Sequence, residues 1–248
     1  MTVTLTDDVR WINECYPHGN EHEHVSVYLI DHGGRYILID SGSFYHRPAI
    51  RDRIERETDG EGLDAILLSH SDYPHAGNVS EFREQWEGVE LIASSGSPEI
   101  QGLSDALQCP IGGSLKVVGR RFEFIDPPLA DRSHTTWIYD VESGVLFTAD
   151  GFGSYHDPGT CRYTSREFAN GIAEEKLYEF HRQNLVWLRY VDPSKLQLAL
   201  KGILDTYEPT YIAPIHGHPI PGMEVDRHLE RLVSAVDLIS SEYTVPEP

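Results

Sequence analysis

Residues 67–78 run Leu67-Leu68-Ser69-His70-Ser71-Asp72-Tyr73-Pro74-His75-Ala76-Gly77-Asn78, LLSHSDYPHAGN. An apolar run of strand character ends here in a turn that carries two imidazoles and a carboxylate. Imidazole and carboxylate together suit zinc, iron or manganese. By itself such a triplet also suits a polar surface loop. Three distant residues point toward a metal site: His134 at the start of one predicted strand, Asp150 at the end of the next, and His216 just past a third, in Pro214-Ile215-His216-Gly217-His218. A strand-to-loop junction can aim distant side chains at one point.

Outward from the loop, strands and helices alternate. Val25–Ile30 and Tyr36–Asp40 form a predicted hairpin across Asp31-His32-Gly33-Gly34-Arg35, whose glycines admit the positive φ of a tight turn. A helix is expected over Pro48–Thr58, a buried strand over Asp64–Ser69, a helix over Val79–Trp86 and a strand over Glu90–Ala93. A second hairpin joins His134–Asp140 to Val145–Asp150 through Glu142-Ser143-Gly144. From Ala173 the apolar spacing is helical until Pro193 interrupts it, with further helices over Lys195–Thr206 and Glu224–Ile239 and a short strand at Tyr211–Ala213. No repeat or linker appears, so residues 1–248 are expected to form a single α/β (α+β) domain.

The net charge of −20 disfavours nucleic acid and anionic membrane as partners. Lysine is confined to Lys116, Lys176, Lys195 and Lys201, and this acid-rich, arginine-over-lysine balance resembles proteins of a high-salt cytoplasm. The start, MTVTLTDDVRW, has neither a basic nor an apolar targeting segment, and no run approaches the roughly 20 apolar residues of a membrane span. A cytoplasmic location is expected. Cys15, Cys109 and Cys161 show no CxxC spacing, so neither a disulfide framework nor a thiolate zinc site is expected.

The order of motifs from about residue 25 to 220 resembles the metallo-β-lactamase superfamily, and within it the diiron domain of flavodiiron proteins. The pieces are LIDSG at Leu38–Gly42, the histidine loop with AGN, a lone later histidine, LFTADGFG at Leu146–Gly153 and APIHG at Ala213–Gly217. The resemblance implies a four-layer αβ/βα sandwich with metals at one edge. Carried over by position, one metal would take His70, Asp72 and His134, while Asp150 would bridge to a second held by His75 and His216. Superfamily hydrolases read His-x-His-x-Asp-His in the first loop and flavodiiron proteins His-x-Glu-x-Asp-His; this chain reads His-x-Asp-x-Pro-His. Pro74 therefore stands where the second metal's own carboxylate is expected, and that site is predicted to be weaker or completed by solvent.

Carboxylate at Asp72 favours iron, with zinc or manganese as alternatives, in one or two ions. The resemblance implies a non-heme (di)iron protein that binds or reduces O2 or NO. These residues contain no flavodoxin domain and no FMN motif, so a reductase would draw electrons from a separate flavoprotein or rubredoxin-like partner; a homodimer is compatible with this. The alternative is a zinc-dependent hydrolase of esters, thioesters or phosphoesters, because one fold hosts many chemistries. Asp40 is expected to support a liganding imidazole. His22 and His24 read as solvated surface ahead of the first strand, His218 as a neighbour that does not ligate, and Tyr155 and His156 as ordinary loop residues rather than proton donors lining a pocket.

Overall fold

The computed structural model describes residues 2–94, 103 and 105–243. Two sheets face one another. The first contains β1 (Thr2–Thr4), β2 (Val9–His18), β3 (Glu21–Asp31), β4 (Tyr36–Ile39), β5 (Ala65–Leu67), β6 (Glu90–Ser94) and β7 (Leu107–Cys109) in sequence order. The second contains β8 (Ser114–Val117), β9 (Arg120–Ile125), β10 (Trp137–Asp140), β11 (Val145–Phe147), β12 (Tyr211–Ala213) and β13 (Ile220–Pro221), also as neighbours in order. Helices α1 (Arg47–Glu57), α2 (Tyr73–Ala76) and α3 (Val79–Gln85) accompany the first sheet; α4 (Glu174–Asn184), α5 (Pro193–Tyr207) and α6 (Val225–Ser241) accompany the second.

Strand alternation sorts the apolar side chains into three layers of contact. Ile37, Ile39, Ala65 and Leu67 point inward to meet Phe122, Phe124, Ile138 and Phe147 between the sheets. Their neighbours Leu38 and Ile66 point outward onto Ile50 and Ile54 of α1 and Phe82 of α3. On the other side, Trp137, Leu146 and Ile212 meet Leu177, Leu200, Leu232 and Val236 of α4, α5 and α6. The result is the expected four-layer αβ/βα sandwich. Each fully buried large apolar side chain contributes about 1.5–3 kcal/mol. Between the sheets, the buried Arg120 guanidinium makes a bidentate pair with Asp140 at 2.8 Å and 2.5 Å and also meets Asp8 at 2.5 Å.

Several local expectations change. The hairpin strand begins at Glu21 rather than Val25, and it pairs over its whole upstream part with β2, a strand that the sequence pattern does not predict. Polar Asn13 and Glu14 and a proline at Pro17 obscure strand character in β2; pairing with the apolar β3 supplies it. His24 is consequently fully buried, not solvated, and His22 is half-buried. The strands of the second hairpin are shorter than expected, so His134 precedes β10 and Asp150 follows β11 in the adjoining loops. Pro193 opens α5 instead of only ending a run: it sits in the first turn, where its missing N–H costs nothing. The Asp192 carboxylate accepts from Ser194 N at 2.9 Å and Lys195 N at 3.3 Å, capping that helix.

Candidate metal centre

The first wall of the site is made where β4 and β5 end side by side. Asp40 adopts a positive φ of 56°, a conformation rare outside glycine, which turns its carboxylate back under the loop. There it accepts from Ser69 N, Ser69 Oγ and His75 Nδ1, each at 2.8 Å. The short helix α2 folds His75 back over His70, ring centroids 3.8 Å apart. The AGN that follows is a packing device. A Cβ at Gly77 would come within 2.7 Å of the Tyr73 carbonyl oxygen and 2.9 Å of that of Gly42, and the Asn78 side-chain amide donates to the carbonyls of Ser41 at 2.7 Å and Ser43 at 3.1 Å.

The second wall comes from the other sheet. β11 and β12 are parallel neighbours although more than sixty residues separate them in sequence, and beyond their ends the chain carries Asp150 and His216. Ala149 (φ 50°) and Phe152 (φ 63°) flank Asp150 in left-handed conformations, while Ile215 N donates to the Ala149 carbonyl at 2.8 Å and Ser154 N to that of His216 at 2.8 Å. His216 Nδ1 donates to the His24 carbonyl at 2.8 Å and lies 3.1 Å from Glu23 Oε1. Burial would raise the Glu23 carboxyl, but His216 and Tyr16 hold it below its ordinary range.

Where the walls meet, three acceptor atoms converge. His75 Nε2 is 3.3 Å from His216 Nε2, and Asp150 Oδ1 lies 3.2 Å from the first and 3.4 Å from the second. Each imidazole already spends its Nδ1–H outside the site, so their Nε2 lone pairs face each other and a carboxylate oxygen. Such a cluster needs a cation in its midst. Without a metal, a proton on His75 serves: burial opposes it, yet Asp40 and Asp150 raise His75 to about 10. Asp150, which burial alone would raise, is held far below the usual carboxylate range by His75, His70 and His216. Among the described residues His70 Nε2 is buried without a hydrogen-bond partner, 3.8 Å from Asp150 Oδ2 and 3.5 Å from Asp131 Oδ2. Burial and the neighbouring His75 lower His70 to about 4, which leaves it a neutral imidazole near neutrality.

The structure therefore brings together His70, His75, Asp150 and His216. Asp72 reaches the edge of the same cluster: His70, Asp72 and Asp131 each place a donor atom within 4.8 Å of the others. Asp72 also pairs with Arg132, whose Nη2 lies 2.7 Å away. His134 is not gathered with them; its Nε2 stands 3.2 Å from Ser71 Oγ. The turn that precedes β10 explains this. Thr135 N donates to the Arg132 carbonyl at 3.1 Å and Thr135 Oγ1 to Asp131 Oδ1 at 2.6 Å, and that turn directs Asp131 and Arg132 toward the centre. Neither residue was singled out from the sequence, where the segment DPPLADRSHTT carries several acids and no periodicity to rank them.

The cluster opens into a cavity of about 470 Å³ whose walls include Tyr16, Glu23, Pro74, Arg132, Tyr155 and Phe180. Tyr155 lines it, against the expectation of an ordinary loop residue, and stacks on His18 with centroids 4.4 Å apart. His156 faces away, against His24 and His218. His218 is buried, its Nδ1 donating to the Tyr163 carbonyl at 2.6 Å. The cysteines are not all scattered in space: Cys15 and Cys161, both free, bring their sulfurs to 2.8 Å.

Residues 21–160 match the family model of the metallo-β-lactamase superfamily. A hydroxyacylglutathione hydrolase of Prochlorococcus marinus is 28% identical over 159 residues, which cover 59% of this chain and 64% of that protein. An anaerobic nitric oxide reductase flavorubredoxin of Aeromonas salmonicida is 23% identical over 175 residues, 63% of this chain and 33% of that protein. Among solved structures, a flavo di-iron protein variant from Thermotoga maritima superposes with a TM-score of 0.78 at 19% identity, covering 95% of this chain and 61% of that one. The chain thus spans less than two thirds of the length of each of these relatives.

Proposed function

The chain belongs to the metallo-β-lactamase superfamily, and from that premise we propose that it is a non-heme iron protein that binds or reduces O2 or NO. The observation that carries this reading is the donor set: three carboxylates, Asp72, Asp131 and Asp150, stand among three imidazoles, His70, His75 and His216. Hard anionic oxygens favour iron or manganese over zinc and stabilise oxidised iron. The residues fit such an ion on their own geometry, since His70 Nε2 is buried and unpartnered and the lone pairs of His75 and His216 face Asp150. One cation would be held by His75, His216 and Asp150. A second would be held by His70, Asp72 and Asp131, with His134 as a further donor if it swings away from Ser71. When bound, iron supplies one-electron exchange and an open position for a small ligand.

The chain's own residues prepare that position. Asp40 and the His24 carbonyl fix the Nδ1–H groups of His75 and His216, so both Nε2 atoms stay aimed inward. Pro74, Tyr155 and Phe180 form part of the cavity wall beside the donors. Electrons would come from a separate flavoprotein or rubredoxin-like donor.

One observation supports a second reading. A cavity of about 470 Å³ exceeds what a diatomic needs, and the Arg132 guanidinium at its rim suits a carboxylate or phosphate. A zinc-dependent hydrolase of esters, thioesters or phosphoesters would use both. The experiment is to load the metal-depleted chain separately with ferrous iron and with zinc, without oxygen. An optical response of the iron form to NO, together with O2 or NO uptake in the presence of a reduced flavoprotein, is the expected result. Thioester or phosphoester turnover by the zinc form with no response of the iron form would overturn the iron reading.

A further inference from the structure

A separate group of metal-ligating side chains lies behind one wall of the cavity. Cys15 on β2, His22 on β3, and His156 and Cys161 on the segment after β11 each place one donor atom within 4.8 Å of the others. Cys15 Sγ is 3.5 Å from His22 Nδ1, which is 3.3 Å from Cys161 Sγ, and His156 Nε2 is 3.2 Å from the same sulfur. We propose that these four residues form a tetrahedral Cys2His2 site for a zinc-class divalent cation, distinct from the His/Asp centre.

Tetrahedral zinc, with about 2.3 Å to sulfur and about 2.0–2.1 Å to nitrogen, sets sulfur–nitrogen edges near 3.5 Å and a sulfur–sulfur edge near 3.8 Å. The three sulfur–nitrogen distances of 3.2–3.5 Å match those edges closely. The sulfurs, 2.8 Å apart, must part by about 1 Å to admit the ion. A disulfide, near 2.05 Å, would require them to close instead, and would leave two imidazole nitrogens aimed at sulfurs that no longer need them. Two thiols and two imidazoles drawn from three chain segments form a complete ligand set for a closed structural site.

The frame that holds these donors does not depend on the cation. His22 and His156 exchange both backbone bonds, N to O at 2.8 Å and 3.0 Å, as an isolated bridge between β3 and the loop. The Cys161 carbonyl accepts from His24 Nε2 at 2.9 Å and also from the Asn13 side-chain amide. His24, fully buried, stacks on His156 with centroids 3.9 Å apart. The ligands' neighbours in sequence, Tyr16, Glu23 and Tyr155, line the cavity on the opposite face. Because successive strand residues point to opposite faces, a cation on Cys15, His22 and His156 would brace the wall that those three neighbours form.

The test uses the full chain, reduced and metal-depleted, titrated with cobalt(II) without oxygen. A thiolate-to-cobalt charge-transfer band whose final intensity corresponds to one site with two sulfur ligands per chain is expected, because among the described residues only this group offers paired sulfurs. The band should survive in His75→Ala, whose lesion is confined to the His/Asp centre, and should be lost in Cys161→Ser. In the wild type, zinc should slow alkylation of both Cys15 and Cys161, a measurement that needs no variant to fold. No band with unchanged alkylation, a band that persists in Cys161→Ser, or a Cys15–Cys161 disulfide that survives reduction and excludes zinc would each overturn the proposal. None of these outcomes depends on which metal the His/Asp centre takes.

Discussion

Pro74 lies in the first turn of α2, directly before His75, and contributes only ring carbons to the cavity wall. Pro74→Asp would add an anionic oxygen beside His75. In a ferrous titration without oxygen, bound iron is expected to rise from about one to about two per chain; equal occupancy in both proteins would show that Pro74 does not limit the site. At the other end of the cluster Arg132 pairs with Asp72 and would compete with a cation there. Burial acts to raise Asp72, but the Arg132 bond and the charges around it hold the carboxyl below its usual range. Arg132→Gln removes both the competing partner and a like charge, so affinity for a cation near Asp72 should tighten by about twofold to fivefold, the scale of one exposed ion pair. Competition against a chelator measures it, and weaker binding would mean that Arg132 positions Asp72. His70, His75, Asp150 and His216 were legible because each follows an apolar strand. Asp131 was not, because its position is set by hydrogen bonds within an irregular turn that sequence periodicity does not encode.

Among the elements, α2 and the turn after it depend on the absence of a side chain at Gly77. A methyl there must displace two backbone carbonyls, not a flexible side chain. Gly77→Ala is expected to cost about 1–3 kcal/mol, visible as a lower melting temperature, and to reduce metal retention because Ser41 N bonds to the His75 carbonyl. A variant that melts like the wild type would show that the loop can shift freely. Elements with their own periodicity were readable: α1 begins one residue before its expected start, and α6 buries Leu229, Leu232, Val236 and Ile239 at helical spacing. β2 and β7 to β9 were not. Their strand character comes from partners, β3 for β2 and β10 for β9, and a single chain segment does not display what lies beside it.

Across the molecule, buried neutral imidazoles make acid a specific threat. Burial lowers His181 and His218 to about 4. The unfolded chain takes up their protons near pH 6.5 and the folded chain does not, so their contribution is intact above that value and is lost as pH falls toward 4. The melting temperature of the metal-depleted protein should drop over that window, and His181→Leu should flatten the drop; an identical slope in the variant would assign the effect elsewhere. The layered architecture was readable because alternation sorts apolar residues into inner and outer faces, whereas the pairing of β11 with β12 across a long excursion was not. That pairing also has a temporal consequence. Since His70 and His75 hang from one sheet and Asp150 and His216 from the other, no early, locally ordered fragment can assemble the donors; the sheets must dock first. In stopped-flow refolding, capture of a cation by these four residues should lag the burial of tryptophan within either sheet and coincide with the slowest phase. Capture in the first phase would mean that nascent chains dock both sheets from the outset.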